Sequence, residues 1–474
     1  MNNFVKNNYK DCSIINTVYN FKKILIKMGF DLSIEIKLYN GVYISKIVDK
    51  TTKLCSYGKG ITCQNAVASG LGEFLERASF GMLASYPFFN YSYNNKHNEK
   101  VEFTLIGGNE TLKIERFELF AKYRSTGMAA GNTYYEAFVQ SCSEIFERYS
   151  QYLVFSKKIR AYCYNYESIR KSLHISRKIQ ELIYKLKKEN SYIYIIDIAS
   201  CVGLPVVGIM INDINLKKYV FRFAAHPIFQ MAVETCLLEF SQLGSYEEIF
   251  KYTGIDWFEE SVEGSNLFEL LTNGRGKFGI CNFINNEVKF NIPNIFIQVE
   301  DVSNTEIFYD YYLKILNSRR WRGYYRTINY DCAVCIQIVI PGVSDIYMCV
   351  YNREKRKKDI SDYSTMYIKK EISKEVFVDK VINNLIYLYD SNNNDFNFYR
   401  RTGIYNSSND LVKFYTFFDE VKNDIKLNIN MSFAYHKWEA YCSYNFVPID
   451  ENGMYKLLFE MEEVLNRNSE RLNL

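Results

Sequence analysis

The stretch AAGNTYYEAFVQSCSEIFER, residues 129–148, carries the pattern on which the rest of the chain is built. It opens with a turn at Gly131 and continues with the spacing of an amphipathic helix. Residues 58–77, GKGITCQNAVASGLGEFLER, repeat the layout, and both segments end in Glu-x-x-Glu-Arg. A weaker echo, AVETCLLE, occupies residues 232–239. In all three an alanine precedes a glutamate by two helical turns, which predicts three related helices with a shared face: positions 66 and 73, 137 and 144, 232 and 239.

The shared face combines carboxylates with small residues. On the first predicted helix, Glu73 and Glu76 lie beside Ser69 and Gly70 rather than beside lysine or glutamine. Two carboxylates one turn apart repel each other unless a cation lies between them, and oxygen ligands suit Mg²⁺. Three such helices could converge on metal-bound phosphates. A solvated, salt-bridging helix face is the alternative, and the residues alone leave both interpretations open.

Four blocks of the sequence resemble the YcaO family, ATP-dependent enzymes that activate backbone amides, including its bacterial housekeeping members. They are GKGITCQNAVASGLGEFLERAS (58–79), GMAAGNTYYEAFVQSCSEIFERY (127–149), FAAHPIFQMAVETCLLEFSQ (223–242) and IVIPGVSDIY (338–347). The blocks keep the family's order and, with similar residues near Lys10, cover most of residues 10–350. The resemblance implies an α+β fold of the YcaO type, with mixed sheets and helices packed around a Mg/ATP site. We expect a YcaO ATP-binding domain over residues 1–350 and a smaller mixed α/β C-terminal region over residues 351–474.

The resemblance also implies roles for individual residues. The metal and phosphate shell would consist of five glutamates: Glu73, Glu76, Glu144, Glu147 and Glu239. The nucleotide would be contacted by Lys10, Thr17, Asn132, Glu136, Arg148 and Gln242. Arg148 and Gln242 are the candidate catalytic residues among them, and Arg77 is expected to be a supporting ion-pair partner.

Two positions depart from the family pattern. Ala129 stands where the family has serine, and Thr235 stands where it has arginine. The first change removes a hydroxyl near metal or phosphate, and the second removes a fixed cation that would stabilise phosphoryl charge. Arg222, in the strand that enters the third segment, is a candidate replacement, and a surface position for it is equally open.

The implied reaction starts with a nucleophile that attacks a peptide carbonyl, after which ATP phosphorylates the amide-derived oxygen and phosphate leaves. Carboxylate-bound Mg²⁺ would neutralise the charge on the transferring phosphoryl oxygens. A side-chain nucleophile would give an azoline (cyclodehydratase chemistry), sulfide would give a thioamide, and an accessory role in ribosomal-protein methylthiolation is a further option by analogy. The alternative is a catalytically degenerate scaffold that binds a partner enzyme or a precursor peptide.

Composition and motifs argue against other classes. A net charge of +4 gives no reason to expect nucleic-acid binding. No apolar run has the length of a membrane span and no signal-peptide layout is present, so we expect a cytoplasmic protein without a membrane partner. The four histidines form no ligand or triad pattern, and Cys332-x-x-Cys335 lacks the second pair of a zinc site. We expect a peptide or protein substrate, and a partner modification enzyme and a homodimer remain open.

Periodicity predicts the other elements. It indicates a helix over residues 10–30, strands over 31–57, a polar link over 90–108, a basic amphipathic helix over 166–189, strands over 192–199, 205–211 and 219–224, a helix over 306–316 and a buried strand over 333–340. A change of composition near residue 351 indicates a domain boundary there.

Overall fold

The computed structural model describes residues 10–80, 100–171, 173, 175–261, 264–285, 290–297 and 304–347, with a few single positions between 363 and 380. Almost all of these belong to one compact unit, made of Met1–Pro87, Asn95–Val262 and Asn266–Met348. The second unit, Phe88–Asn94, Glu263–Ser265 and Cys349–Leu474, lies mainly outside the described residues. The predicted boundary near residue 351 and the predicted C-terminal α/β region fall there and stay predictions.

The described residues form strands that belong to three sheets. The strands are β1 (Leu32–Tyr39), β2 (Val42–Asp49), β3 (Cys55–Gly60), β4 (Lys100–Leu105), β5 (Thr111–Glu115), β6 (Met128–Gly131), β7 (Tyr162–Asn165), β8 (Ser191–Asp197), β9 (Val206–Asp213), β10 (Lys218–Ala225), β11 (Ile255–Asp256), β12 (Ile284–Asn285), β13 (Tyr324–Tyr330) and β14 (Ala333–Val339). The sheets have the orders β1-β2-β3, β11-β10-β9-β8-β7-β12 and β5-β4-β13-β14-β6. Neighbouring strands are antiparallel except for the parallel pair β7 and β12.

Helices cover these sheets. They are α1 (Ile14–Lys27), α2 (Cys63–Phe80), α3 (Arg116–Glu118), α4 (Tyr134–Phe155), α5 (Tyr166–Ile169), α6 (Arg177–Leu186), α7 (Ala199–Val202), α8 (Phe229–Ser241), α9 (Tyr246–Thr253), α10 (Gly264–Asn273) and α11 (Glu306–Ser318). No helix in the described residues is both long enough and apolar enough to cross a bilayer. The predicted α+β class is confirmed by these mixed layers of sheet and helix.

The three glutamate-bearing segments each form a strand followed by a helix. These three modules are β3 with α2, β6 with α4, and β10 with α8. Each helix packs on the strand of its own module and also contacts a strand of another: α2 contacts β6, α4 contacts β10, and α8 contacts β3. The three contacts close a ring, so the three helices are brought to one place in the unit.

Small residues allow each helix to lie close to its own strand. A Cβ atom on Gly58 would lie 2.1 Å from both the Ala66 carbonyl oxygen and the Gly70 amide nitrogen. The hydroxyls of Ser45 and Ser56 donate to the carbonyls of Ala66 and Gly70, each at 2.7 Å. The small-residue face predicted on the first helix is therefore occupied by the backbone of β3 over these positions, not by a ligand.

Two hydrophobic clusters hold the modules in place. Leu25 of α1, Ile47 of β2 and Phe74 of α2 are fully buried together in one cluster. Ile209 of β9 and Phe240 of α8 belong to a larger cluster beneath the six-stranded sheet. Burial of such side chains contributes about 2 kcal/mol each. The apolar faces of α2 and α8 are therefore held by the two clusters, while their carboxylate faces stay accessible.

Two element predictions were wrong. The polar link over residues 90–108 contains the strand β4, whose residues Val101 and Phe103 pack against β5 while charged residues alternate with them. The single helix over residues 166–189 is the two helices α5 and α6, because Asn165 and Ser176 each cap a separate helix start. The helix over 10–30 is confirmed, although the Ser13 cap shortens it to α1.

Candidate functional site

Glu73 and Glu144, two of the predicted metal ligands, are held in the same way by their modules. The backbone amide of Tyr57 in β3 donates to Glu73 at 3.3 Å. The amide of Gly127, just before β6, donates to Glu144 at 3.0 Å. The repeat seen in the sequence is therefore also a repeat of geometry, in which a backbone amide in or next to the strand binds the first glutamate of the Glu-x-x-Glu-Arg motif.

Each of these carboxylates also pairs with the arginine four positions later. Glu73 pairs with Arg77, and Glu144 lies 2.8 Å from Arg148. A second nitrogen of Arg148 donates to the hydroxyl of Tyr347 at 2.7 Å. Burial opposes the charge of Arg148, but the Tyr347 hydroxyl and Glu144 outweigh it and raise the pKa of the guanidinium. Arg148 therefore stays charged at the centre of the site.

The second glutamates of the first two modules connect the modules electrostatically. Burial and the nearby carboxylates of Glu144 and Glu73 hold the pKa of Glu76 well above its usual range. Burial and the carboxylate of Glu239 raise the pKa of Glu147 to about 8. The five predicted shell glutamates thus form an electrostatically connected row, in which the charge of Glu144 acts on Glu76 and that of Glu239 acts on Glu147 across modules.

The third module obtains its cation from another element. Position 243, four after Glu239, is leucine, and Glu239 instead binds the ammonium group of Lys59 in β3. The same ammonium group donates to the side-chain oxygen of Gln242 at 3.3 Å. Burial favours a neutral Glu239, but Lys59 and Arg222 outweigh it, and the pKa of Glu239 lies below its usual range.

A cluster at the start of α4 contains two predicted nucleotide contacts, Asn132 and Glu136. The amide and side-chain nitrogens of Asn132 donate to Glu136 at 3.0 and 2.9 Å, and the Asp11 amide donates to its other oxygen. The Asp11 carboxylate accepts hydrogen bonds from Thr133 and Thr305, the latter at 2.8 and 2.7 Å. Glu136 is thus fully used in fixing the N-terminal segment, whereas the buried Oδ1 of Asn132 has no donor among the described residues.

The two remaining predicted contacts differ in position. Lys10 is exposed and lies close enough to His226 to affect its titration, since burial together with Lys10 lowers the pKa of His226 to about 3. Thr17 is almost buried, and its hydroxyl donates to the Ser13 carbonyl within α1 at 3.0 Å. The structure places Lys10 at the junction that opens α8, and it leaves the Thr17 hydroxyl engaged within its own helix.

At the two positions that depart from the family pattern, the residues present do not replace the missing hydroxyl or the missing cation. Ala129 is fully buried in β6 opposite Ile336. The hydroxyl of Thr235 donates to the Met231 carbonyl at 2.9 Å, so it is bonded within α8. Neither position supplies the hydroxyl or the cation that the family pattern would place there.

Arg222 lies beneath the row of carboxylates rather than on a free surface. Its guanidinium donates to the Phe221 carbonyl at 2.7 Å and lies 5.7 Å from the centre of the Phe240 ring. Burial lowers the pKa of Arg222, while Glu239 and Glu147 act in the opposite direction and favour its charge. Arg222 therefore provides a fixed positive charge near the third module.

The donor set fits magnesium chemically. No three His, Cys, Asp or Glu side chains are arranged to hold an ion in the part of the chain that the structure describes. The reason is visible in the contacts, because arginine and lysine already engage Glu73, Glu144 and Glu239. Three of the five carboxylates, those of Glu76, Glu144 and Glu147, nevertheless have raised pKa values, through burial first and neighbouring carboxylates second, and a hard divalent cation would favour their charged form.

The sequence did not reveal every residue of this site. Lys59 was visible only as part of a Gly-Lys-Gly segment, and its partner lies 180 positions away. Tyr347 and Asp11 likewise act through contacts with distant elements. The one available signal in the sequence was that these residues lie inside or beside the blocks that resemble the family.

Fold and site together define an α+β protein with a cluster of carboxylates from three helices, whose oxygen atoms suit Mg²⁺ and, through it, phosphate groups. Residues 115–248 match a family profile described as YcaO cyclodehydratase, ATP- and Mg²⁺-binding. An uncharacterized protein of Haemophilus influenzae is 26% identical over 399 residues, which cover 71% of this chain and 66% of the relative. The Escherichia coli K12 protein named ribosomal protein S12 methylthiotransferase accessory factor YcaO is 25% identical over 396 residues, with the same two coverages.

A solved YcaO structure from Methanopyrus kandleri, bound with AMPPCP and Mg²⁺, is similar with a TM-score of 0.49 and 16% identity, and covers 73% of this chain and 95% of that chain. The family profile and the curated relatives support the assignment of this chain to the YcaO family, and the cofactors of that family are ATP and Mg²⁺. The chain spans slightly less than two thirds of the length of these curated relatives.

Proposed function

We propose that this protein uses Mg²⁺ and ATP to activate a peptide or protein backbone amide by phosphorylation. The observation that carries the proposal is the row of five glutamates, drawn from three helices and facing buried or half-buried cations. A surface salt-bridging face would not gather carboxylates of three helices or raise their pKa values. The family profile, which is described as ATP- and Mg²⁺-binding, supports the same chemistry.

The side chains divide into groups by what they can do. Glu73, Glu76, Glu144, Glu147 and Glu239 would hold the metal ions, and bound Mg·ATP would supply the phosphoryl group that makes the amide oxygen a leaving group. Arg148, kept charged by Tyr347, is placed to bind a phosphoryl oxygen. The Oδ1 atom of Asn132 is an acceptor that no donor among the described residues engages, and the side-chain oxygen of Gln242 accepts from Lys59.

Calorimetric titration with ATP, with and without MgCl₂, tests the nucleotide site. We expect saturable, Mg²⁺-dependent binding that is weakened at least about tenfold in Glu144→Gln, because the substitution removes a charged ligand held by both Gly127 and Arg148. Glu35→Gln, an exposed glutamate of β1, is the matched control and should bind normally. Absence of binding in the unaltered protein would refute the proposal.

The substrate class is tested by phosphate release in the presence of candidate peptides. The cyclodehydratase name of the family and the methylthiotransferase-accessory name of the Escherichia coli relative suggest two sets. One is peptides rich in Cys, Ser and Thr, with and without added sulfide, and the other is ribosomal protein S12. Substrate-dependent phosphate release and a mass change at a backbone amide would establish the reaction and identify its nucleophile.

A second function, a nucleotide-binding scaffold without turnover, is favoured by two observations. Ala129 and Thr235 supply neither the hydroxyl nor the cation of the family pattern. Such a protein would bind Mg·ATP in calorimetry, release no phosphate with any peptide, and co-purify with a partner modification enzyme or precursor peptide. The two measurements above therefore separate the alternatives.

A further inference from the structure

Lys59 connects the first and third modules. It lies in β3, and its ammonium group binds Glu239 and Gln242 at the C-terminal end of α8. The Lys59 side chain is 21% exposed and that of Glu239 is 33% exposed, so the pair borders solvent instead of being sealed in the core. A ligand that approaches from solvent can therefore reach both groups.

The third module lacks the arginine that completes the internal repeat, and Lys59 supplies the cation for it. Glu73 and Glu144 each have an arginine four residues later on the same helix, which cannot leave its carboxylate without unwinding or a change of rotamer. Glu239 has Leu243 at that position and takes its cation from a separate strand. A compact ammonium group on a flexible four-carbon stem can change partners more easily than a planar guanidinium such as that of Arg148, which binds Glu144 and Tyr347 in a fixed geometry.

We propose that Lys59 is an exchangeable counter-ion, which neutralises Glu239 in the metal-free protein and moves to a phosphate oxygen when Mg·ATP occupies Glu239. This inference rests on the proposed function and specifies how its site changes on loading. Arg222 cannot serve in this way, because its guanidinium is anchored to the Phe221 carbonyl and packed on the Phe240 ring.

The exchange predicts effects of opposite sign on two ligands. In the metal-free protein Lys59 competes with the ion for Glu239, so Lys59→Gln should bind MgCl₂ alone more tightly, by about fivefold or more. In the loaded protein Lys59 contacts phosphate, so the same variant should bind Mg·ATP more weakly by a similar factor. Lys59→Arg should keep most of the Mg·ATP affinity. Lys37→Gln, at an exposed lysine of β1, controls for the change in net charge and should alter neither.

A second variant tests the exchange without changing Lys59. Glu239→Gln releases Lys59, so ATP in the presence of a chelator should bind this variant more tightly than it binds the unaltered protein. Combining Glu239→Gln with Lys59→Gln should abolish that gain. The comparison of Glu239→Gln with the unaltered protein remains informative if circular dichroism shows that Lys59→Gln does not fold.

The outcomes are distinct. If the unaltered protein binds Mg·ATP but Lys59→Gln changes both affinities in the same direction, or neither, Lys59 is only a structural ion-pair partner and the exchange is refuted. No gain of chelated-ATP affinity in Glu239→Gln would refute it as well. If the unaltered protein binds no Mg·ATP, the proposed function itself fails.

Discussion

Arg222 is the side chain best placed to supply the fixed positive charge that Thr235 does not. Its charge is favoured by Glu239 and Glu147, and it is held by the Phe221 carbonyl. We expect Arg222→Gln to lower Mg·ATP-dependent phosphate release at least about tenfold, because a preorganised cation near the transferring group is worth a few kcal/mol. Phosphate release measured at saturating ATP, beside a thermal melt of the variant, checks this. Unchanged release from a folded variant would show that Arg222 has no part in the reaction.

His226 makes the stability of the fold depend on pH. Its neutral Nδ1 accepts the Ile228 amide at 2.9 Å, and its pKa is lowered to about 3 by burial and by Lys10. A histidine whose pKa is lower in the folded than in the unfolded chain contributes stability that is complete above pH about 6.5 and is lost progressively as the pH falls toward 3. The free energy of unfolding, measured by urea titration, should therefore decrease as the pH is lowered from 7 to 4.

His226→Asn provides the comparison, since an amide oxygen can accept the Ile228 amide without titrating in this range. The pH dependence of its unfolding free energy should be shallower than that of the unaltered protein between pH about 6.5 and 4. Identical slopes for the two proteins would assign the acid lability to other groups.

The sequence predicts best those site residues whose role is set within one helix. Glu144 and Arg148 lie one turn apart, so their pairing follows from helical periodicity alone. Lys59 and Tyr347 could not be predicted in this way, because each reaches the site by a contact with a distant element. The role of Thr17 toward nucleotide stays a prediction, and the contact that the sequence did not show is the hydrogen bond from its hydroxyl to the Ser13 carbonyl.

The close packing of α2 on β3 explains why glycine occupies position 58. An alanine there would place its Cβ 2.1 Å from backbone atoms of Ala66 and Gly70, which only a shift of the helix could relieve. We expect Gly58→Ala to destabilise the protein by at least about 3 kcal/mol in urea unfolding and to weaken Mg·ATP binding, because Glu73 and Glu76 move with the helix. Gly72→Ala, on the same helix, meets only the Phe21 ring at 3.3 Å, which a small shift of that side chain relieves, and should therefore cost much less stability than Gly58→Ala. Equal effects of the two substitutions would contradict this account of the packing.

The segment that carries Lys10 is held to α4 and α11 by Asp11. Its carboxylate accepts hydrogen bonds from Thr133 and Thr305, at the starts of these two helices. Asp11→Ala should free Lys10 and weaken ATP binding severalfold while changing the melting temperature little, because Asp11 itself is exposed. Asp31→Ala, which breaks an exposed ion pair with Lys50, is the control and should leave ATP affinity unchanged. A large loss of stability in Asp11→Ala would instead make the contact a structural support.

The ring of modules could not have been derived from helix and strand periodicity. Each strand–helix module is a local pattern, and the sequence predicted the three helices, whereas the strand β6 before α4 was not predicted. Their closure depends on α2 contacting β6, α4 contacting β10 and α8 contacting β3, which are contacts between segments far apart in the chain. The closure explains why no single module could bind a phosphate-bound metal, since each supplies at most two carboxylates to a site that needs several oxygens and charge balance.

The ring is complete within residues 10–347, so a protein that ends after residue 350 should fold and bind Mg·ATP with an affinity within about threefold of the full chain. The last residue known to be needed is Tyr347, whose hydroxyl accepts the hydrogen bond of Arg148 at 2.7 Å. Tyr347→Phe in the same shortened protein is the matched variant, and it should lose affinity because Arg148 loses the acceptor that keeps its guanidinium in place. Circular dichroism and calorimetry of the two proteins check both expectations. A shortened protein that folds but cannot bind Mg·ATP would show that residues 351–474 contribute to the site, and it would place the functional boundary beyond residue 350.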